Sequence, residues 1–285
     1  MNLKTKYIDY FAEANLPYSF YGGNAVVYNN EIHILGSSYS NGSSYLYSIY
    51  HYKYDGSSWS NVSTLPYAFF GGSAIVYNNE IHIMGGSYGA TSHYKYNSTS
   101  NAWTNVSTLP YSFPGGSAVV YNDEIHIMGS GISSYYTNHY KYNTTSNAWT
   151  SVSTLPYNFY RGSAVVYKDE IHILGSYDST TYHYKYNTTN NTWTSVSTLP
   201  YNFYYGSAVV YNNEIHIMGS GYSSSFSSNH YKYNGSSWTA QPNLPYPCDN
   251  GTSIVLYNEI HLMGCANASY NVAHYTLYKP VLIRV

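Results

Sequence analysis

Charged side chains are scarce in this chain of 285 residues, where they make up 8% of the sequence and leave a formal net charge of −2. Nucleic acids and anionic membranes are bound by clustered Lys and Arg, so we expect neither as a partner. No apolar run approaches the ~18 residues of a membrane-spanning helix, and the N-terminal segment lacks the apolar core of a signal peptide. The sequence therefore predicts no membrane insertion, and it leaves open the cytoplasm or a virion or cell surface reached by another route.

Cysteine is almost as rare, with only Cys248 and Cys265 present. Two cysteines are too few for a disulfide scaffold, and for this pair both a disulfide and two separate thiols remain open. The nucleophile motif GxSxG and a phosphate-binding glycine loop are also missing. We therefore predict no catalytic residues and no cofactor.

Tyrosine is abundant instead, at 41 residues, and much of it belongs to an internal repeat. The phrase HYKYN or HYKYD occurs five times, LPY occurs six times, and close variants of SAVVYNNEIHIMG occur six times. Successive Trp residues are separated by 44, 46, 44 and 45 positions: Trp59, Trp103, Trp149, Trp193 and Trp238. A repeat of this length is typical of β-propeller blades.

Each repeat predicts four β-strands and no helix. AVVY is followed by a two-residue turn of Asn-Asn type, which favours a tight hairpin, and then by the strand EIHIMG. HYKY and WTSVSTLP supply the third and fourth strands. We therefore predict an all-β fold with a single domain over residues 1–285, a six-bladed β-propeller of four-stranded antiparallel blades. The N- and C-terminal strands are predicted to close the ring in one blade, with Tyr10 near the Trp position; which terminus forms the outer strand stays open.

These features resemble the kelch-repeat family of six-bladed propellers. The resemblance rests on a glycine after each second strand, as at Gly85-Gly86, and on a Tyr-Asn pair that precedes Trp: Tyr96 and Trp103, Tyr142 and Trp149, Tyr186 and Trp193. Elsewhere the second glycine of the family is replaced by Ser or Cys. The resemblance implies the propeller fold. At the level of fold alone, it also brings in sugar-modifying and redox enzymes and intracellular adaptors as functional alternatives.

Twelve histidines also repeat, two in each blade. Equivalent residues on six blades are spread around a ring and do not converge on one ion, so we predict no metal site and instead polar contacts between strands or blades. The same reasoning makes the Glu that opens each second strand structural. In five blades that Glu is predicted to pair across the sheet with the Lys of HYKY, whereas Thr276 takes the place of Lys in the sixth.

The departures from the repeat point to one face of the ring. The loops between second and third strands and the joins between blades vary in length, are predicted to share a face, and contain fifteen of the Tyr residues. Tyr, Ser, Gly and Asn on variable loops held by a rigid scaffold are typical of binding surfaces. The predicted ligand-binding residues are Tyr21, Tyr39, Tyr45, Tyr47, Tyr88, Tyr135, Tyr136, Tyr160, Arg161, Tyr177, Asp178, Tyr204, Tyr205, Tyr222, Phe226, Asn250 and Tyr270.

Arg161 is one of only two arginines and stands where other blades carry Gly, Tyr or Asn. Two interpretations are open: an anchor for an anionic ligand group, or a solubilising surface residue. We predict a non-enzymatic recognition propeller that binds a protein or carbohydrate ligand on the loop face, of the kind used in surface attachment or virion receptor binding. The alternatives are a mutarotase-like sugar-modifying enzyme, with Arg161, Asp178 and Asp249 as its candidate residues, and an intracellular adaptor platform. Ligand, source organism and oligomeric state are not indicated.

Overall fold

Six antiparallel sheets of four strands are arranged in a ring, which confirms the predicted six-bladed β-propeller. The computed structural model describes residues 3–40, 45–87, 90–132, 136–178, 180–222, 225–265 and 272–284. Within these ranges the regular structure is all strand, and no helix suited to crossing a membrane is found there. Neighbouring blades touch mainly through their first strands, which surround the axis.

The strands follow the repeat. Blade one contains β2 (Asn24–Tyr28), β3 (Glu31–Leu35), β6 (Tyr50–Tyr54) and β7 (Trp59–Thr64), and its loop carries the hairpin β4 (Ser38–Ser40) and β5 (Tyr45–Tyr47). Blade two contains β8 (Ser73–Tyr77), β9 (Glu80–Met84), β10 (His93–Asn97) and β11 (Ala102–Asn105). Blade three contains β12 (Ser117–Tyr121), β13 (Glu124–Met128), β14 (His139–Asn143) and β15 (Ala148–Ser151). Blade four contains β16 (Ser163–Tyr167), β17 (Glu170–Leu174), β18 (His183–Asn187) and β19 (Thr192–Ser195). Blade five contains β20 (Ser207–Tyr211), β21 (Glu214–Tyr222), β22 (Ser225–Tyr233) and β23 (Trp238–Ala240). Blade six contains β24 (Thr252–Leu256), β25 (Glu259–Met263), β26 (His274–Arg284) and β1 (Leu3–Ala12).

The turn between the first two strands of each blade has the predicted two-residue form. In blade one Asn29 and Asn30 have φ of 52° and 61°, and Tyr28 pairs directly with Glu31. Positive φ at both central residues gives the twist that matches antiparallel strands, and Asn tolerates it better than most residues. The same geometry recurs in every blade, and blade six uses Tyr257 and Asn258.

The hydrophobic core lies between neighbouring blades rather than within them. One cluster packs Ile75 and Met84 of blade two against Ile125 and Ile127 of blade three, and Phe113 of the connecting segment is fully buried among them. Burying a Phe of this kind contributes roughly 2–3 kcal/mol. Five of the six joins carry such a Phe; at the remaining join Cys248 occupies its place and is disulfide-bonded to Cys265.

The ring closes in blade six, as predicted. β1 pairs with β26 along nearly its whole length, so the N-terminal strand forms the outer edge and β26 is the third strand. Tyr10 lies opposite Leu277 just as Trp103 lies opposite Tyr96, which confirms its place at the Trp position. The segment after β1 is also tied down, because the Glu13 carboxylate accepts hydrogen bonds from the hydroxyls of Thr276 and Tyr54 at 2.8 and 3.0 Å.

The repeated polar residues pair within each blade. Five Lys–Glu pairs bridge the second and third strands at 2.8–2.9 Å, which confirms the predicted pairing; because they are partly exposed, each contributes at most about 1 kcal/mol. The twelve histidines form six buried pairs, with Nδ1 of one ring 2.8–2.9 Å from Nε2 of the other. The third-strand His also packs on the next blade, as His51 does on Tyr96 and Trp103 at ring distances of 5.0 and 5.6 Å. The predicted strand and blade contacts of these residues are therefore present, and the described residues contain no group of three or more His, Cys, Asp or Glu that would suit a metal ion.

Candidate functional site

A ring of backbone hydrogen bonds surrounds the propeller axis on the loop face. The residue two positions before each first strand donates its N–H to the carbonyl of the equivalent residue in the preceding blade, at 2.5–3.0 Å. All six residues have φ between 53° and 71°: Gly22, Gly71, Gly115, Arg161, Tyr205 and Asn250. Because every donor finds its acceptor in a neighbouring blade, this axial ring locks all six blades together and holds the side chains at its three non-glycine positions in place.

A cavity of about 480 Å³ follows the axis at this ring and is lined by the first strands of the blades. Small polar side chains bridge the blades here: Ser73 Oγ accepts from the Ala118 N–H at 3.0 Å, and Ser117 Oγ accepts from the Ala164 N–H at 3.2 Å. The wall is therefore polar but largely satisfied by its own contacts. The charge in the lining comes from Arg161.

The Arg161 side chain lies among aromatic rings contributed by three blade joins. Its guanidinium carbon is 5.3 Å from the Phe70 ring centre, 5.5 Å from Tyr160 and 5.1 Å from Tyr205, within the range of cation–π attraction. A Cβ at Gly71 would lie 2.9 Å from one guanidinium nitrogen, and one at Gly115 would lie 2.3 Å from the Tyr160 ring. The glycines of blades two and three therefore make the space that the guanidinium and its stacked ring occupy.

The Arg161 guanidinium forms no direct ion pair in the described part of the chain, although the Asp249 carboxyl is near enough to interact with its charge. Its Nε is buried without a hydrogen-bond acceptor. A buried donor that stays unsatisfied costs about 1–3 kcal/mol, and a guanidinium offers five donors in a planar fork. The backbone of Arg161 is also in the left-handed region at φ 60°, which disfavours a non-glycine residue. Packing alone does not account for an arginine at this position.

Asp249 and Asn250 form a buried polar pair beside Arg161. The Asn250 amide donates to Asp249 Oδ1 at 3.1 Å and to the Tyr21 hydroxyl at 3.0 Å. Burial raises the pKa of the Asp249 carboxyl to about 6, although the Asn250 hydrogen bond and the charge of Arg161 oppose the shift. Burial also raises the pKa of Tyr205 to about 12, with Arg161 acting against it, so the Tyr205 hydroxyl keeps its proton. Asn250 lines the axial cavity and Asp249 does not. The Asp249 carboxylate orients the Asn250 amide through the hydrogen bond between them.

The structure brings the predicted site residues into two adjoining groups. Tyr21, Tyr160, Tyr205 and Asn250 surround Arg161, and from the loops Tyr47 lies 5.1 Å from the Phe70 ring and Tyr136 lies 6.3 Å from Tyr160. The second group lies between blades four and five and contains Tyr177, Asp178, Tyr204 and Phe226. Tyr39 lies in β4 and lines neither the axial cavity nor the cavity between blades four and five. Tyr88, Tyr135 and Tyr270, and the side chains of Tyr45 and Tyr222, lie outside the described residues.

Two of the predicted residues are buried rather than displayed. Tyr204 is 3% exposed and Asn250 is 7% exposed, so each acts mainly by supporting its neighbours. Two further residues were missing from the predicted ligand-binding set, Phe70 and Asp249, of which Asp249 was predicted only as a candidate residue of the enzyme alternative. Both occupy the variable position just before the axial ring, where Asp249 is the only acid and Phe70 the only Phe among the six blades. Comparing the six blades position by position in the sequence is therefore enough to identify both residues.

These features define a six-bladed propeller with an arginine-centred axial depression. No family model matches the chain, and no curated protein matches it. Among solved structures the chain is similar to one titled "Structure of YjhT", with 17% sequence identity, a TM-score of 0.77, and coverage of 96% of this chain and 97% of that one. At this identity the likeness shows the fold, and since 541 chains match at fold level it does not select a function.

Proposed function

We propose that this protein is a non-enzymatic recognition propeller of kelch type whose axial depression binds a carbohydrate carrying a carboxylate. The observation that carries the proposal is the Arg161 guanidinium, which lies between three aromatic rings without a directly paired carboxylate among the described residues and with its Nε lacking an acceptor. A guanidinium matches the two oxygens of a carboxylate and forms paired, charge-assisted hydrogen bonds with them.

The surroundings of Arg161 suit a sugar. Aromatic rings pack against the C–H faces of pyranoses, and the hydroxyls of Tyr160 and Tyr205 offer partners for sugar hydroxyls. The axial cavity, which Arg161, Tyr205 and Asn250 line, has a volume of about 480 Å³, the scale of a small-molecule site rather than of a broad protein interface. These properties favour a carbohydrate over the protein ligand that the sequence also allowed.

Binding is favoured over catalysis by the position of the acidic groups. Sugar-modifying enzymes need a carboxyl group or another proton carrier that reaches the substrate. The pKa of Asp249 is suitable, at about 6, but the residue is 7% exposed and does not line the axial cavity. Asp178, the other candidate acid, lies in the neighbouring cleft between blades four and five.

The proposal is tested by the binding of labelled protein to a glycan array that includes sialylated, uronic-acid and neutral glycans. We expect signals on carboxylate-bearing glycans and a loss of about 10- to 100-fold in affinity for Arg161→Gln, since a charged hydrogen-bonded pair is removed. Lys168→Gln is the matched control, because Lys168 is also a cation at positive φ but lies in a hairpin turn of blade four and donates to Asn234 O. Binding that is confined to neutral glycans, or that survives Arg161→Gln unchanged, would contradict the proposal.

Two further readouts separate binding from other roles. Arg161→Gly carries the residue that blades one to three already have, so it is expected to fold normally and still fail to bind. NMR exchange spectra of the free sugar acid, recorded with and without protein, report the rate at which its anomers interconvert. Acceleration by catalytic amounts of protein would favour the mutarotase-like alternative, and a blank array would shift the weight to a protein partner.

The long loop of blade one offers an independent prediction. Its base repeats the pattern of blade two: the Ser37 N–H donates to Phe69 O, and the Phe69 N–H donates to Ser48 O. Replacing residues 38–47 with the Ser-Tyr-Gly sequence of residues 87–89 should therefore leave the thermal midpoint within a few degrees of wild type. It should weaken sugar-acid binding several-fold, because Tyr47 no longer packs on Phe70. Circular dichroism melts and titration calorimetry test both halves, and loss of the fold would show that the segment is more than a loop insertion.

A further inference from the structure

A second cavity, of about 810 Å³, lies between blades four and five and adjoins the axial site. It is formed by the loop of blade four, the join between the two blades and the loop of blade five. The residues that carry the argument are Tyr177, Asp178, Asn202, Tyr204, Phe226 and Asn229. The proposed function of the axial site does not account for this cleft.

The walls of the cleft combine exposed aromatic rings with oriented polar groups. Tyr177 is 46% exposed and Phe226 is 41% exposed, so both rings present apolar surface to solvent. Thr180 Oγ1 donates to Asn202 Oδ1 at 2.8 Å, which fixes the amide so that its NH₂ group remains directed to other acceptors. Aromatic surface with amide donors and a carboxylate acceptor beside it provides contacts for both the C–H faces and the hydroxyls of a neutral sugar.

A continuous path of aromatic rings joins the cleft to Arg161. The ring centres of Tyr177 and Tyr204 are 5.8 Å apart, those of Tyr204 and Tyr205 are 5.6 Å apart, and Tyr205 is 5.1 Å from the guanidinium. A second path runs from Tyr177 to Tyr160 at 6.3 Å and on to Arg161 at 5.5 Å. Because Tyr204 is 3% exposed, the route open to a chain molecule anchored at Arg161 is the second path, over Tyr160 to Tyr177.

We infer that the cleft is a second saccharide subsite, which holds the neutral sugar units next to an acidic sugar bound at Arg161. The ligand is then an oligosaccharide with a terminal acidic residue rather than a free sugar acid. The inference rests on the proposed function for the binding of the acidic sugar at Arg161. The cleft itself is expected to contact only the neutral sugar units.

Calorimetric titration with three probes tests the inference: N-acetylneuraminic acid, sialyllactose and lactose. Sialyllactose should bind wild-type protein about 10-fold more tightly than the free acid, because it adds stacking on the cleft rings. Phe226→Ser should remove that gain and leave the affinity for N-acetylneuraminic acid within about twofold of wild type. Ile49→Ser is the matched control, since Ile49 is also an exposed apolar residue (42%) of a loop but lies in blade one and outside residues 38–47.

The outcomes separate the two proposals. Equal affinities for sialyllactose and the free acid, or a gain that survives Phe226→Ser, would overturn the subsite and leave the proposed function intact. Binding of lactose that depends on Phe226, without binding of the free acid, would support the subsite and overturn the proposed function. If none of the three probes binds, both are overturned.

Discussion

Lowering the pH from 7 to about 5 is expected to unfold the protein cooperatively, because its histidine pairs are buried in the neutral form. In blades one to five burial lowers the pKa of the second-strand His to about 4 and that of the third-strand His to about 3. Each of these rings is at most 3% exposed. In every pair one neutral nitrogen donates and the other accepts, so the second proton on a pair would leave two donors facing each other.

The direction of the effect follows from proton linkage. In the unfolded chain a histidine binds its proton near pH 6.5, whereas in the folded protein it does so only near pH 3–4. Between these values the unfolded state binds more protons than the folded state. The free energy of unfolding therefore has its full value above about pH 6.5 and decreases as the pH falls toward 4. At about pH 5.5 the loss is ~1 kcal/mol for each histidine, or on the order of 10 kcal/mol for the ten. Since domains are typically stable by only about 5–15 kcal/mol, we expect a midpoint between about pH 5 and 6.

Trp fluorescence during an acid titration measures this transition. A double substitution in one histidine pair tests whether the pairs cause it. In His82→Asn with His93→Gln, the Asn amide lies near the former Nδ1 and the Gln amide near the former Nε2, so the 2.8 Å hydrogen bond is retained without a titrating group. This double variant should match wild type at pH 8, unfold at a lower pH, and take up about two fewer protons in the transition. A protein that stays native at pH 4, or a midpoint that the double variant does not move, would show that the pairs do not control acid stability.

The histidine pairs also show which part of the structure was accessible from sequence. Five or six copies of each phrase predicted the blades, their turns and the Glu–Lys pairs, because repetition separates structural positions from variable ones. Each His was predicted to make polar contacts, but not to bond to another His. Alternation along β9 and β10 places His82 and Lys95 directly opposite, and the diagonal reach of His82 to His93 depends on strand twist and side-chain rotamers.

The position of Arg161 and Tyr205 was predicted in outline for the same reason, whereas their role in ligand binding stays a prediction. Arg161 and Tyr205 were identified as departures from a repeated Gly, and the loop face was correct for both. The sequence did not predict where the Arg161 guanidinium goes, because that depends on the positive φ of its backbone and on the space above Gly71 and Gly115. Phe70 was left out of the predicted set, although it occupies the same variable position of the join as Tyr21 and Tyr160. Contacts across the ring join side chains that are not equivalent in the repeat, so the repeat does not predict them.

Loss of the Cys248–Cys265 disulfide is expected to destabilise blade six by about 3 kcal/mol, the usual contribution of a bond that closes a loop of this length. In Cys248→Ser with Cys265→Ser a further loss arises from packing, since a small polar side chain replaces a buried sulfur beside Gly251. Asp249 and Asn250 follow Cys248 directly, so the axial ring should loosen at Asn250 and ligand binding should weaken together with stability. Thermal melts with and without reductant measure the first effect, and titration calorimetry measures the second.

The other five blades provide the matched control. Where blade six has Cys248 they have a fully buried Phe, and four of them have a Ser where it has Cys265. That Ser bridges the join, as Ser176 does by donating to Asn158 O at 2.7 Å and accepting from the Tyr160 N–H at 3.0 Å. Cys248→Phe with Cys265→Ser should therefore recover most of the stability that the double Ser variant loses, and it should melt at the same temperature with or without reductant. If it is no more stable than the double Ser variant, the covalent bond and not the filled join holds blade six in the ring.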